Sequence, residues 1–206
     1  MKLYDSTRAP NPRRVRWFLA EKGVTDIEIQ QVNIFFGEHR TPEYRAKVGV
    51  PHVPALELDD GTCISESIAI CRYLESLHPE PNMFGRDPKE QAVIEMWMRR
   101  CEFYLANPMM LTVRHTHPAL AAIETQSPEL AESNRTTAEK FMKTLDRRLA
   151  DNEWIAADRF TIADLVAVVG LDFGRQIKYA PPEQYIHLAR WLEACRARPA
   201  AQAGMA

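Results

Sequence analysis

The chain has 206 residues, 46% of them hydrophobic and 26% charged, with a formal net charge of −2. That length holds one large or two small domains with a substantial core, and the near-balanced charge excludes a general attraction to nucleic acid or to a membrane surface. No run approaches the ~20 apolar residues of a membrane span, and the Met-Lys-Leu-Tyr-Asp start lacks the apolar core of a secretory signal, so a cytoplasmic location is expected.

In chain order, residues 2–5 read as a short strand. A helix follows over residues 12–22, opened by Pro12 and closed by Gly23, with Val15, Phe18 and Leu19 on one face. Residues 27–33 alternate as a second strand, and Thr41-Pro42-Glu43 caps a short helix. Strands over residues 55–58 and 62–65 are joined by Asp59-Asp60-Gly61, a strong hairpin signal. A helix over residues 66–77 completes a βαβ–α–ββα order, the α+β, thioredoxin-like arrangement with a mixed sheet.

The polar, proline-bearing run from His78 to Gly85 is the best boundary, giving domains over residues 1–79 and 86–206. Everything beyond it reads as all-α. Asp87-Pro88 starts a long helix with an expected buried stripe of Val93, Met96, Trp97 and Phe103. Ser127-Pro128-Glu129 starts another, with Ala138, Phe141, Met142, Leu145 and Leu149 at helical spacing. Thr161 and Asp164 form a capping pattern ahead of Leu165, Val168 and Val169. Gly170 and Gly174, one turn apart, would let a neighbouring helix approach closely. Pro181-Pro182 precedes a last helix carrying Ile186, Leu188, Trp191 and Leu192. The four cysteines, at 63, 71, 101 and 195, form no C-x-x-C pair and read as reduced, mostly buried thiols.

The most informative segment runs from Val50 to Leu77. Pro54 removes a backbone donor and biases Val53 to an extended conformation. Val53 can then pair through its N–H and C=O with a bound peptide, as an added strand would. Glu66 and Ser67 on the first turn of the next helix suit the ammonium and carboxylate of a free amino-acid end. A structural turn at Val53-Pro54 and a plain helix cap at 65–67 account for the same residues singly. Together, the Val-Pro, Asp-Asp-Gly and Glu-Ser signatures resemble the glutathione-binding half of the cytosolic glutathione transferases. Phe160-Thr-Ile-Ala-Asp164 resembles that family too, so the likeness spans both domains.

The resemblance implies a glutathione transferase that conjugates the glutathione thiolate to a small electrophile, a cytoplasmic homodimer in detoxification, with glutathione as cosubstrate and no metal. It puts Val53 and Pro54 against the cysteinyl part of glutathione, Glu66 and Ser67 at its γ-glutamyl end, and His39 or His52 at its glycine carboxylate, with Arg13 close by. In the Ser- and Cys-type members the activating hydroxyl or thiol precedes the first helix. Here Ala9-Pro10-Asn11 stands in that loop. Ala9 offers no side-chain donor, which leaves Asn11, whose amide can cap the helix and also donate to a thiolate. Ser6 and Thr7 are the other hydroxyls within reach.

Arg13, Arg14 and Arg16 read as a solvated helix face, and His39 and His52 read equally as surface histidines or ligand contacts. For the electrophile, Arg99, Arg100, Phe103, Tyr104 and His115 are candidates, aromatics suiting an apolar substrate and arginines an anionic one. The absence of a cysteine from the activating loop argues against glutathionyl-exchange chemistry. Two other readings share the fold: a glutathione-binding scaffold without turnover, and a glutathione-dependent peroxidase or isomerase.

Overall fold

The computed structural model describes residues 1–203, which form two compact units: Met1–Pro81 together with the chain end from Pro199, and Asn82–Arg198. In the first, β1 (Lys2–Asp5), α1 (Pro10–Lys22), β2 (Glu28–Gln31), α2 (Pro42–Val48), β3 (Ala55–Glu57), β4 (Cys63–Ser65) and α3 (Ser67–Leu77) follow one another. The sheet order is β2-β1-β3-β4, with β1 parallel to β2 and β3 antiparallel to both β1 and β4. This is the expected thioredoxin-like mixed sheet. Leu3, Val15, Phe18, Leu56, Ile70 and Leu74 fill its core.

α1 starts at Pro10, two residues before the expected position. Both prolines sit in the first turn, where a missing N–H breaks no helical bond and the fixed φ is already helical. Gly23, at φ 67°, closes the helix as expected. Gly61, at φ 85°, makes the hairpin turn, with Leu58 N–H donating to Thr62 O at 2.8 Å. Thr41 caps α2, its Oγ1 accepting from Tyr44 N–H at 3.2 Å.

The three arginines of α1 correct the sequence expectation: Arg13, Arg14 and Arg16 are all buried. A charged side chain is buried when a partner on another element meets it, and a partner on another element leaves no local signature. Arg16 pairs with the fully buried Asp5 of β1, and Arg13 donates to the Ala201 carbonyl at 3.4 Å.

The second unit is helical: α4 (Pro88–Cys101), α5 (Asn107–Thr116), α6 (Pro128–Ala150), α7 (Ile162–Gly174) and α8 (Ile186–Arg196), with a π turn (Glu102–Ala106) joining α4 to α5. The expected stripe of α4 is wrong by a fraction of a turn. Ile94, Met98, Cys101 and Leu105 are buried, whereas Met96 and Phe103 are exposed and Val93 and Trp97 only half-buried. Apolar residues fill adjacent positions here, so two stripes about 100° apart are both readable, and packing against α7 selects one. The α6 stripe is buried as expected. In α8, Leu188, Trp191 and Leu192 are buried but Ile186, at the first position, is 65% exposed.

α7 opens with a complete capping box. Asp164 Oδ2 accepts from Thr161 N–H (2.9 Å) and Oγ1 (3.0 Å), and its Oδ1 from Ile155 N–H and Trp191 Nε1, each at 2.9 Å. Gly170 lets α7 approach the π turn, since a Cβ there would stand 2.6 Å from Ala106 Cα. Gly170→Ala is therefore expected to destabilise the protein by about 1–3 kcal/mol through overpacking, read as a lower urea midpoint at unchanged m-value.

Candidate functional site

The β3 approach is built by a tyrosine pair. Tyr4 and Tyr44 meet edge-to-face with centroids 5.8 Å apart, and Val53 packs half-buried against the cluster they form with Val32, Val48 and Ala55. Tyr44 Oη donates to His52 O at 2.7 Å and pins the loop just before Val53. The Val53–Pro54 bond is cis, and among the described residues neither Val53 N–H nor its C=O pairs with another backbone group. Main-chain donor and acceptor remain available for an extended ligand, as a sheet edge would offer them.

Four residues beyond the hairpin turn, β4 ends and α3 begins at a strained position. Glu66 precedes the helix at φ 69°, ψ 116°, exposed and with no side-chain capping bond, so the plain-cap reading of Glu66 is not realised. Holding a non-glycine residue at positive φ costs on the order of 1–3 kcal/mol, and such positions cluster where ligands bind. Ser67 is 5% exposed, and its Oγ accepts from Arg14 Nη1 at 3.4 Å. The first helical bond here is Ile70 N–H to Glu66 O. The earlier N–H groups of α3 therefore lie outside the helical ladder, next to a hydroxyl, an arrangement that favours an anion.

At the start of α1, Ala9 is the residue that precedes the helix and Asn11 sits at its second position, so Asn11 is not the cap the sequence suggested. Asn11 Oδ1 is buried with no hydrogen-bond partner among the described residues. A buried, unsatisfied carbonyl costs roughly 1–3 kcal/mol, and a half-turn of the amide would bring its NH₂ to the same place. Arg13 N–H donates to Ala9 O at 3.3 Å and is not free for a ligand. Among the first three helical positions, only Asn11 carries an N–H at all. Thr7 Oγ1 is committed to Gln31 Oε1 at 2.7 Å, and Ser6 is buried.

The two histidines part company. His52 is exposed, whereas His39 is buried with no partner for its Nδ1 among the described residues, which corrects the solvated reading for it. Burial, and then the positive surroundings of Arg40, His52 and Arg45, push the His39 pKa below its ordinary value, so the ring is neutral near pH 7.

In the helical unit, Phe103 and Tyr104 are both about half exposed on the π turn, and the Tyr104 ring lies 5.8 Å from that of Phe141. Arg99, one turn earlier, is held by Glu95 at 2.9 Å and Glu102 at 3.1 Å. His115 is half-buried, its Nδ1 accepting from Ser127 N–H at 3.3 Å. Arg100 lies over Trp97, 5.0 Å from the ring centroid. Sequence reasoning missed Gln31, the link from Arg14 to Ser67, and the π turn. Pro108, just past the π turn, is the one local signal for it, since a proline cannot bond back to the preceding turn.

Comparison with known proteins covers both units. Residues 3–82 match the family profile "Glutathione S-transferase, N-terminal domain", and residues 106–199 match "Glutathione S-transferase, C-terminal domain". Glutathione S-transferase 2 of Saccharomyces cerevisiae is 36% identical over 97% of this chain and 87% of its own length. The crystal structure of Gtt2 from that yeast superposes with a TM-score of 0.93 at 34% identity, covering 100% of both chains. A glutathione S-transferase domain-containing protein from Marinobacter aquaeolei VT8 superposes with a TM-score of 0.93 at 41% identity, covering 98% of this chain and 100% of its own.

Proposed function

The chain belongs to the glutathione S-transferase family and is a glutathione transferase; from that premise we propose how its own residues perform the transfer. Val53 pairs through its N–H and C=O with the cysteinyl residue of glutathione, with Pro54 shaping that turn. Ser67 and the unpaired N–H groups of α3 hold the γ-glutamyl carboxylate, and Glu66 takes the adjacent ammonium. His39 and His52 serve the glycine carboxylate, His39 as a neutral N–H donor. Asn11 donates its NH₂ to the sulfur, stabilising the thiolate that attacks the electrophile. A carbon–sulfur bond forms as the leaving group departs with its electron pair, and the thiol proton passes to solvent. The protein itself forms no covalent bond, so its contribution is orientation and stabilisation of the anion.

On the same reading the helical unit supplies contacts for the electrophile from Phe103 and Tyr104, with Arg99 over the Phe103 ring and His115 further along, on α5. A homodimer and a cytoplasmic role in detoxification complete it. The observation that carries this reading is the conjunction in one unit of a Val53 backbone with no main-chain partner among the described residues and a positive-φ Glu66 leading into a buried Ser67.

Calorimetric titration with reduced glutathione is expected to show saturable binding below millimolar concentration, and a chloro-aromatic acceptor is expected to be conjugated faster than a hydroperoxide is reduced. No saturable uptake at millimolar glutathione overturns the cradle. Binding without conjugation of any acceptor overturns the role given to Asn11.

A further inference from the structure

Between β1 and α1 lies the loop on which the proposed thiol activation depends, and it carries little structure of its own. Ala9 N–H to Ser6 O, at 2.9 Å, is its internal backbone bond. What fixes it comes from outside. Arg16 Nη2 donates to Thr7 O at 2.7 Å while Nη1 of the same guanidinium meets Asp5. On the other side, Gln31 accepts at Oε1 from Thr7 N–H (3.2 Å) and from Thr7 Oγ1 (2.7 Å), and donates from Nε2 to Asp5 Oδ2 at 2.6 Å. Thr7 is thus gripped at its N–H, its hydroxyl and its carbonyl, and both grips end on the carboxylate of Asp5.

We propose that Gln31, the last residue of β2, is a positioning residue for glutathione transfer: it clamps Thr7 and thereby sets where the start of α1 presents Asn11 to the sulfur. The inference rests on the role given to Asn11 above. Gln31 is anchored firmly enough for this work. It lies opposite Asp5 in the parallel pairing of β1 and β2, and Val32 N–H, next along, donates to Asp5 O at 2.6 Å. Its carboxamide uses both ends at once, oxygen toward Thr7 and nitrogen toward Asp5, so neither a carboxylate nor a hydrocarbon of the same shape replaces it.

Arg16 and Asp5 are buried, and removing either leaves a charge without its partner in the core, which threatens the fold itself. Gln31 is exposed, as is all of β2. Water can reach the bonds it leaves on Thr7, and Asp5 keeps its ion pair with Arg16, so the fold survives its loss while the loop gains freedom. Displacement of a reacting group by about 1 Å can slow turnover on the order of 10²-fold, so a partial loosening is expected to show in chemistry more than in stability.

The test is Gln31→Met, which keeps length and loses every hydrogen bond, measured beside Thr7→Val, the double variant and Asn11→Ala. Expected for Gln31→Met are a kcat lowered roughly tenfold and a KM for glutathione within about twofold of the parent. Ultraviolet difference absorption should show a raised pKa for the bound thiol, and the melting temperature should fall by no more than about 4 °C. Because Gln31 acts through Thr7, the double variant should turn over no more slowly than Gln31→Met alone. Unchanged kcat and thiol pKa overturn the inference. So do additive losses in the double variant, or a slowing that appears only as raised KM with a large fall in melting temperature.

Asn11→Ala separates this outcome from the reading beneath it. A thiol pKa that moves in Asn11→Ala but not in Gln31→Met sinks the clamp and keeps Asn11. A pKa that moves in Gln31→Met but not in Asn11→Ala overturns the proposal as stated, because the loop then acts on the sulfur through a group other than Asn11.

Discussion

Asp164→Ala is expected to destabilise the protein by roughly 3–5 kcal/mol, the upper end of what single substitutions do. The carboxylate is fully buried and receives four donors from three places: Thr161 twice, Ile155 N–H and Trp191 Nε1. Burial raises its pKa above the ordinary carboxylate value, and the four donors offset only part of that rise. Losing the cap costs about 0.5–2 kcal/mol, and each backbone or indole N–H left buried and unpaired adds about 1–3 kcal/mol. A domain stable by 5–15 kcal/mol loses a large share of that. The measurement is the urea midpoint, with Thr161→Val as a milder reference that removes one hydroxyl and keeps the three N–H donors. An Asp164→Ala midpoint within error of the Thr161→Val one would show that the carboxylate is not the hub of this corner.

The second large effect separates binding from chemistry. Ser67→Ala removes the hydroxyl at the start of α3, where the γ-glutamyl carboxylate is proposed to lie. Hydrogen bonds to charged groups are worth about 1.5–3 kcal/mol, so KM for glutathione should rise roughly tenfold to a hundredfold with kcat little changed. Asn11→Ala should do the reverse. Removing the donor to the thiolate is expected to raise the bound thiol's pKa by about one unit, equivalent to about 1.4 kcal/mol. Since a raised pKa means less thiolate on the acid side, the acid limb of the pH–rate profile moves upward. Activity should fall most near pH 6.5 and recover at higher pH. Stopped-flow and steady-state kinetics across pH 6–9 read both variants. A KM effect from Asn11→Ala, or a pKa effect from Ser67→Ala, would reverse the assignment.

Wherever local chemistry decides conformation, this fold was legible in the residues. Asp59-Asp60-Gly61 names its hairpin because only a residue free to take positive φ fits the turn, and Gly61 does so at 85°. Thr161 and Asp164 name the start of α7 because their spacing matches the orphan N–H groups of a first helical turn. The failures share one cause, a partner supplied by a different element. Arg14 and Arg16 look solvated until Ser67 and Asp5 are seen to meet them. His39 looks equally exposed or bound until its neighbours close over it. On α4, two adjacent apolar rows compete, and only the approach of α7 decides between them. In the candidate site, the extended backbone at Val53 and the turn into α3 at Glu66 and Ser67, whose ligand contacts given above are proposals, were readable because they follow from a proline and a helix terminus. Gln31 was not, since nothing in a glutamine at a strand end announces the loop it grips.

The return of the chain to its own beginning has a consequence for biogenesis. The 3-10 turn Pro199–Gln202 packs against α1, and Ala201 gives its carbonyl to Arg13. Those residues leave the ribosome only after the entire helical unit has been made, at roughly 5–20 residues per second. The sheet-bearing half, although translated first, therefore waits on the tail for its last contacts. A nascent chain cannot assemble it to completion and then forget it. A change at Pro199–Gln202 is thus felt at α1, in the half that was made first.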